Sequence, residues 1–306
     1  AEKINKAAKL VKNYLEKHEK NNKKIYTKTS KMVLGIGKEQ ETLLKKRYKE
    51  FKKIYPDLKV LNKSEISRLE PFIAKERDEN EQLTAIYSKD GYAINYDALS
   101  ESFVKHSIKS KIKINLNEKI NRIINTENNY YIQTDKDTYE AEMVVVCAGS
   151  HSLIFAKSLG YGKEFGLLPI AGNFFSTKKK FLNGKVYTMQ LEKLPFAAIH
   201  GDPYVDNPNE TRFGPTAKVL PLLERHNYKT FWDFLKTSAW SIKGIKSLIA
   251  VISEPIIFKY ALTNIIYDIP IIGKRLFIKE IRKIIPSIKL KELEYTKGHG
   301  GIRPQI

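Results

Sequence analysis

Two polar residues of this sequence, a histidine and an arginine, lie in sequence contexts that suit a catalytic or a ligand-binding role. His200 ends an apolar run at residues 195–200, and Arg303 follows two glycines near residue 300. The histidine could simply pack at the end of a strand, or it could act as a base that removes a hydroxyl proton near pH 7. The arginine could be a solvated charge, or its planar guanidinium could bind a carboxylate through two hydrogen bonds. These residues alone leave both pairs of alternatives open.

Other common kinds of catalytic or metal site are not indicated. Cys147 is the only cysteine, so an internal disulfide and a zinc or iron–sulfur site built from cysteines are excluded, and a reducing cytoplasm is favoured. No spacing of His, Asp or Glu suggests a metal site. His151 and His299 flank glycine turns and are expected to be bystanders, and residues 224–226 form a charged loop without a catalytic pattern.

A glycine turn follows a strongly apolar segment. Every residue of 143–147 is apolar, which is typical of a strand buried on both faces in the middle of a covered sheet. The segment ends at Ala148 and Gly149, where glycine could serve a tight turn only or could let the backbone approach a ligand.

Helical and extended patterns alternate along the chain. Apolar positions at helical spacing predict helices at 1–20, 38–54, 64–71 and 95–106, and further helices within 228–285. Runs of alternating or continuous apolar residues predict strands at 26–36, 84–88, 111–115, 118–125, 130–134, 143–147, 168–175, 186–191, 197–200 and 211–213. This order predicts an α/β fold with an inserted antiparallel-sheet domain, and 306 residues suffice for one large or two ordinary domains.

The net charge of +20 allows several partners. Three explanations of the charge are binding to nucleic acid, attraction to an anionic membrane surface, and a general bias towards lysine in the proteome. The lysines are scattered and arginines are few, which favours the bias. No apolar run is long enough for a membrane span and no signal peptide opens the chain. Both ends are expected to be cuts within a longer protein, because the sequence opens on a helical pattern and closes on a glycine turn.

Four stretches in this order resemble the malate:quinone oxidoreductase and L-2-hydroxyglutarate oxidase group of FAD enzymes, within the D-amino-acid-oxidase-like superfamily. They are DGYAINY at 90–96, MVVVCAGS at 143–150, LPFAAIHGDPYVDNPNETRFGP at 194–215 and GGIRPQ at 300–305. Together they span nearly the whole chain.

The resemblance implies a Rossmann-like FAD-binding domain with an inserted antiparallel-sheet substrate domain. The FAD domain is expected to be incomplete, because the Gly-x-Gly-x-x-Gly phosphate loop of the family is absent from these residues. The expected ranges are a helical segment at the domain boundary (1–83), part of the FAD-binding domain (84–160), the substrate domain (161–298) and a return into the FAD domain (299–306).

The resemblance also implies roles for particular residues. It favours His200 as the catalytic base and Arg303 as the partner of the substrate carboxylate. Gln305 and Tyr96 are further expected substrate-binding residues. The residues expected to line the FAD site are Ile120, Ala148, Gly149 and Gly301.

The function implied is oxidation of a small 2-hydroxy acid by FAD. The first choice is (S)-malate, with electrons passed to a quinone, and the alternative is an L-2-hydroxyglutarate oxidase or dehydrogenase. A quinone acceptor implies contact with the inner face of the cell membrane from the cytoplasm, and the aromatic and basic helices after residue 228 could provide it or could merely pack. No nucleic acid partner is expected. A basic interaction protein that binds membrane or nucleic acid without catalysis is the alternative of another class.

Overall fold

The computed structural model describes residues 2–190, 198–205, 207–238, 242–267, 269, 271–296 and 300–305. The helices are α1 (Glu2–His18), α2 (Gly37–Lys52), α3 (Lys63–Leu69), α4 (Pro71–Ala74), α5 (Tyr96–Lys109), α6 (Ser152–Ser158), α7 (Phe231–Ser238), α8 (Ile242–Ile252), α9 (Pro255–Ile266) and α10 (Ile272–Ile281). The strands are β1 (Tyr26–Lys28), β2 (Lys31–Ile36), β3 (Lys59–Asn62), β4 (Leu83–Ser88), β5 (Tyr92–Ile94), β6 (Ile120–Asn125), β7 (Tyr130–Thr134), β8 (Thr138–Ala141), β9 (Leu168–Gly172), β10 (Phe175–Thr177), β11 (Lys185–Thr188), β12 (His200–Pro203), β13 (Thr211–Gly214), β14 (Lys218–Val219), β15 (Glu294–Tyr295) and β16 (Gly301–Gln305).

The chain divides into two units that interleave along the sequence. Unit 1 comprises residues 1–111, 174–215 and 269–297, and unit 2 comprises residues 112–173, 216–268 and 298–306. These bounds differ from the four consecutive ranges expected above, because strands distant in sequence pair within the same unit. Which unit binds flavin and which binds substrate stays a prediction.

Unit 1 is built on an eight-stranded sheet with the order β15-β10-β13-β12-β11-β2-β4-β3. Its neighbouring strands are antiparallel except for β11 and β2, which are parallel. One face is apolar: Phe213 and Phe175 oppose each other in the register, and the Phe175 ring stacks on Phe277 of α10 at 4.9 Å between centroids. Burial of these large rings away from water is a main source of stability for this face.

Helix α2 packs on the opposite face of the sheet, next to strand β2. Leu44 of α2 is fully buried and packs with Leu58 and Ile86. A Cβ atom on Gly35 of β2 would come within 2.5 Å of Leu44 Cδ1, so the absence of a side chain there lets the helix approach the strand.

Unit 2 contains two three-stranded sheets, β14-β9-β16 and β6-β7-β8. All of its strand pairs are antiparallel. A core of Leu153, Leu167, Leu223 and Phe234 joins α6 and α7 to the chain before β9. No helix in the described part of the chain is both long and apolar enough to cross a bilayer.

Most of the predicted elements are confirmed. The helices predicted at 1–20, 38–54 and 95–106 correspond to α1, α2 and α5, and the mixed α/β class and the antiparallel pairing are observed. The short helix predicted to stop at Pro71 corresponds to α3, which ends at Leu69. A second short helix that was not predicted, α4, begins at Pro71, a position where the missing proline N–H costs nothing.

Two predicted strands are wrong. Residues 111–115 are irregular, and so is the all-apolar segment 143–147, in which Met143 is 77% and Val145 73% exposed. A strand forms when a neighbour pairs with its N–H and C=O groups, and no strand of the described residues pairs with this segment. Apolar composition predicted the burial, but it could not supply the partner.

Candidate functional site

In unit 1, His200 lies on the face of the sheet that is opposite Phe213. It is the first residue of β12 and opposes Tyr187 of β11 and Gly214 of β13. Its ring lies 4.9 Å from that of Tyr187 and 6.0 Å from that of Phe174, measured between centroids. The side chain is 12% exposed, so the imidazole is mostly shielded by aromatic neighbours and keeps an opening to solvent.

The glycine that follows His200 has a packing role. A Cβ atom on Gly201 would lie 2.6 Å from Leu182 Cδ1 and 2.7 Å from Phe213 Cε1. The close approach of these side chains to the backbone therefore requires glycine next to the histidine.

Asp202 and Arg212 extend the polar face beside the histidine. Side chains alternate along a strand, so Asp202 lies on the same face as His200, and it opposes Arg212 of β13 in the register. Asp202 Oδ1 is 3.9 Å from His200 Nε2, and Arg212 Nη2 donates a hydrogen bond of 3.2 Å to Asp202 Oδ2. The Arg212 guanidinium lies over the ring of Phe174, 4.4 Å from its centroid.

Lys185 adds a second cation to this face. Its ammonium lies 5.3 Å from the centroid of Tyr187. Burial is the largest influence on the pKa of Lys185 and lowers it, with Asp202 opposing. Tyr96 also opposes, though more weakly, so this predicted substrate-binding residue is within electrostatic range of Lys185. Tyr96 itself is exposed at the start of α5, where Asn95 caps the helix by accepting hydrogen bonds from two backbone N–H groups.

In unit 2, Arg303 and Gln305 share one face of β16. They oppose Ile170 and Leu168 of β9, and two residues separate them along the strand. Gly300 leads into this strand with φ of +128°, and a Cβ atom there would collide with the carbonyl oxygen of Gly172. Glycine is thus required at the residue that leads into the strand of Arg303.

The four residues expected near FAD also lie in unit 2. Gly149 has φ of +55° and begins a 3-10 turn, Gly149–His151, that contacts β16. A Cβ atom on Gly149 or Gly301 would meet no atom of the described residues within 4 Å, and both glycines are exposed together with Ala148. The unit thus brings the turn at 148–149 against the strand of Gly301 and Arg303. Ile120, 42% exposed, begins β6 on the other sheet of this unit.

Two further histidines, His151 and His299, were expected to be bystanders. His151 Nε2 lies 3.9 Å from Glu224 Oε1 and 3.8 Å from Asp233 Oδ2, so it has acidic partners within unit 2. His299 lies outside the described residues, as does the part of the 194–215 stretch at residues 194–197 and 206.

Comparison with known proteins identifies the family. The family model described as malate:quinone oxidoreductase (Mqo) matches residues 1–306. The chain belongs to the malate:quinone oxidoreductase family. It is 40% identical over 294 residues to a probable malate:quinone oxidoreductase of Helicobacter acinonychis, covering 93% of this chain and 65% of the relative. For the malate:quinone oxidoreductase of Helicobacter pylori (strain ATCC 700392 / 26695), the identity is 39% over 287 residues, covering 91% and 64%.

The chain therefore spans about two thirds of the length of these family members. This chain also covers a similar share of several solved structures that have a similar fold. Glycine oxidase from Geobacillus kaustophilus has a TM-score of 0.65 at 14% identity, covering 99% of this chain and 66% of that one. An L-alpha-glycerophosphate oxidase from Mycoplasma pneumoniae, solved with FAD bound, has a TM-score of 0.60 at 14% identity and covers 92% and 62%. These likenesses confirm the predicted fold class.

Sequence reasoning about the family missed four residues on the polar face of unit 1. Asp202 and Arg212 lie within the 194–215 stretch, but they were not singled out, and neither were Lys185 and Tyr187. The available signal was the period of two: Lys185 and Tyr187 alternate with buried Val186, just as Asp202 and His200 flank buried Gly201.

Proposed function

We propose that the protein carrying this chain uses FAD to oxidise a small 2-hydroxy acid, with (S)-malate oxidised to oxaloacetate and the electrons passed to a quinone. The family match over residues 1–306 supports the proposal, and so do the names of the relatives. L-2-hydroxyglutarate is the alternative substrate, and it differs from malate by one methylene group.

The observation that carries the proposal is the surroundings of His200. Its imidazole is mostly buried between aromatic rings, 3.9 Å from a buried carboxylate. Oxidation of an alcohol requires a base for the hydroxyl proton, and a histidine can accept it near neutral pH. The Asp202 carboxylate would then stabilise the imidazolium that forms, because opposite charges attract strongly where water is largely excluded.

The residues of unit 2 fit part of a flavin site. The backbone at Gly149 and Gly301 is open, since no atom in the described part of the chain lies within 4 Å of where a Cβ would be, and open glycine backbone permits close approach of a cofactor. We propose that Ala148, Gly149 and Gly301 contact FAD and that the backbone of Ile120 does so at the start of β6. When bound, FAD would supply the acceptor for the hydride of the substrate.

Arg303 and Gln305 are proposed to hold the substrate. The guanidinium of Arg303 is exposed on β16 and can form two parallel hydrogen bonds with a carboxylate. Gln305 lies on the same face and can donate or accept a further hydrogen bond. Tyr96 is proposed as an additional substrate contact because it lies within electrostatic range of Lys185.

Contact with a membrane surface is proposed for α8 and α9. These helices expose several large apolar side chains close to lysines: Ile242, Ile245, Ile249, Val251, Ile256, Phe258 and Leu262. Apolar residues beside cations favour binding to the interface of an anionic bilayer, where a quinone would be reached. The protein would act from the cytoplasmic side of that membrane.

Oxidation of the two acids by the flavin-loaded protein tests the proposal. We expect reduction of a dye acceptor with (S)-malate, less with L-2-hydroxyglutarate, and a loss of about 10²- to 10⁴-fold in kcat for His200→Asn. His18→Asn, an exposed histidine on α1, is the matched control and should keep full activity. Turnover of neither acid, or an unaffected His200→Asn variant, would contradict the proposal. Binding to vesicles or nucleic acid without turnover would favour the non-catalytic alternative.

A further inference from the structure

We infer that Arg212 and Lys185 form a second carboxylate-binding site, which selects dicarboxylic over monocarboxylic 2-hydroxy acids. The inference rests on the proposed function, since it assigns a specificity to the substrate face around His200. It adds to the roles proposed for His200 and Arg303.

The first observation is the unused hydrogen-bonding capacity of Arg212. Its guanidinium makes one hydrogen bond to a described residue, from Nη2 to Asp202 Oδ2. Nε is buried and has no hydrogen-bond partner among the described residues. The side chain is 22% exposed, so the accessible part of the guanidinium keeps unused N–H donors, and an anion that accepts from them would be bound favourably.

The second observation is the fixed orientation of the same guanidinium. It lies over two aromatic rings, 4.4 Å from the centroid of Phe174 and 5.4 Å from that of Tyr204. Stacking between rings restricts the plane of the guanidinium before any ligand arrives. A guanidinium held in one plane can offer paired N–H donors to a planar carboxylate at a small entropic cost.

The third observation is an excess of positive charge on this face. Lys185 lies directly opposite Lys31 in the register of β11 and β2, and Arg212 lies one strand beyond β12. Asp202 is the counter-charge that acts on Lys185 from β12. Among the described residues, Asp202 is the one carboxylate shown to act on both Arg212 and Lys185. These three residues leave one positive charge uncompensated, with Lys31 and the Asp90 that acts on it set aside. A second carboxylate supplied by the substrate would balance it.

The chemistry of the ligand follows from these contacts. A 2-hydroxy acid with one carboxylate has a single anionic group to offer, whereas a dicarboxylate has a second. The hydroxyl-bearing carbon would lie close to His200. Arg212 and Lys185 would bind the carboxylate that is not attached to this carbon. Arg212 and Lys185 are thus positioned to act on binding and specificity, while proton removal remains with His200.

Calorimetric titration of the protein in excess reduced FAD, which cannot accept a further hydride from the substrate, tests the inference. The two probes are (S)-malate and (S)-2-hydroxybutyrate, which has a methyl group where malate has its second carboxylate. We expect Arg212→Gln and Lys185→Met to weaken malate binding by about 10-fold or more each, and to leave 2-hydroxybutyrate binding unchanged. Lys178→Met removes an exposed lysine of unit 1 that pairs with Glu294, and it should change neither affinity.

The Lys185→Met variant is included because Arg212→Gln could impair folding. Arg212→Gln leaves the buried Asp202 carboxylate without its ion-pair partner, whereas Lys185→Met removes the ammonium and keeps an apolar side chain of similar length. Equal losses for both probes, or no loss for malate, would overturn the inference. Malate binding that weakens as expected in a protein that does not oxidise malate would refute the proposed function alone. Normal oxidation with an unchanged preference for malate in both variants would refute the inference alone.

Discussion

The stability of this protein should depend on pH through one buried carboxyl group, that of Glu70. The residue follows α3 and is 2% exposed. Its Oε1 accepts a hydrogen bond of 2.7 Å from the backbone N–H of Gly184, and its Oε2 accepts one of 2.8 Å from that of Asn183. Burial raises the pKa of Glu70 to about 7, and the two N–H groups oppose this only in part. Its two hydrogen bonds hold the turn that leads into β11, which is the strand of Lys185.

The direction and size of the effect follow from the raised pKa. Below the ordinary pKa of 4.5 the carboxyl is protonated in both the folded and the unfolded chain, and its full contribution to stability is present. As the pH rises towards 7, the unfolded chain releases the proton first, so unfolding becomes more favourable. At about 1.4 kcal/mol per pH unit, the contribution lost through this window is about 3 kcal/mol.

Glu70→Gln separates this effect from the rest of the chain. Glutamine stays neutral but has one acceptor oxygen for two N–H groups, so the variant should be less stable than the wild type by about 1 kcal/mol near pH 4.5. Near pH 8 it should be more stable by about 2 kcal/mol, because the wild type then carries a buried charge. Urea unfolding at a series of pH values measures both differences.

The matched control is Glu79→Gln, which changes an exposed glutamate of the same region. Its stability relative to the wild type should not vary with pH. The reasoning is refuted if the difference between Glu70→Gln and the wild type is constant across the series, or if the wild type gains on the variant as the pH rises.

Two further predictions concern unit 2. Gly300→Ala should lower the free energy of unfolding by about 1–3 kcal/mol. The Cβ of alanine would collide with the Gly172 carbonyl oxygen, and the φ of +128° disfavours any side chain. Urea unfolding measures this difference, and a variant as stable as the wild type would contradict the prediction. Ile249→Asp should abolish cosedimentation with vesicles that contain anionic lipid, because it places a charge in the exposed apolar surface of α8. Ile4→Asp, at an exposed apolar position of α1, is the control, and equal sedimentation of both variants would refute membrane contact through α8.

Local patterns were sufficient for much of the fold. The apolar spacing of 1–20 and 38–54 predicted α1 and α2 within a few residues, because a helix depends mainly on contacts between neighbours in sequence. The Asn95 cap of α5 is a local feature of the same kind, since its hydrogen bonds join residues two and three positions apart.

The candidate residues were predicted singly, and their neighbours were not. His200 and Arg303 stood out through residue type and through the family resemblance. The grouping of Lys185, Asp202 and Arg212 depends on which strands pair and in which register, and that is a property of the whole sheet.

The sequence by itself therefore determined the family and the class of fold, and it predicted which residues are suited to proton transfer and carboxylate binding. Tertiary structure decided their electrostatic surroundings. It left the apolar segment 143–147 exposed, because the burial of a strand requires a partner as well as a composition. It also raised the pKa of Glu70, because solvation depends on every segment packed around a group and not on its neighbours in the chain.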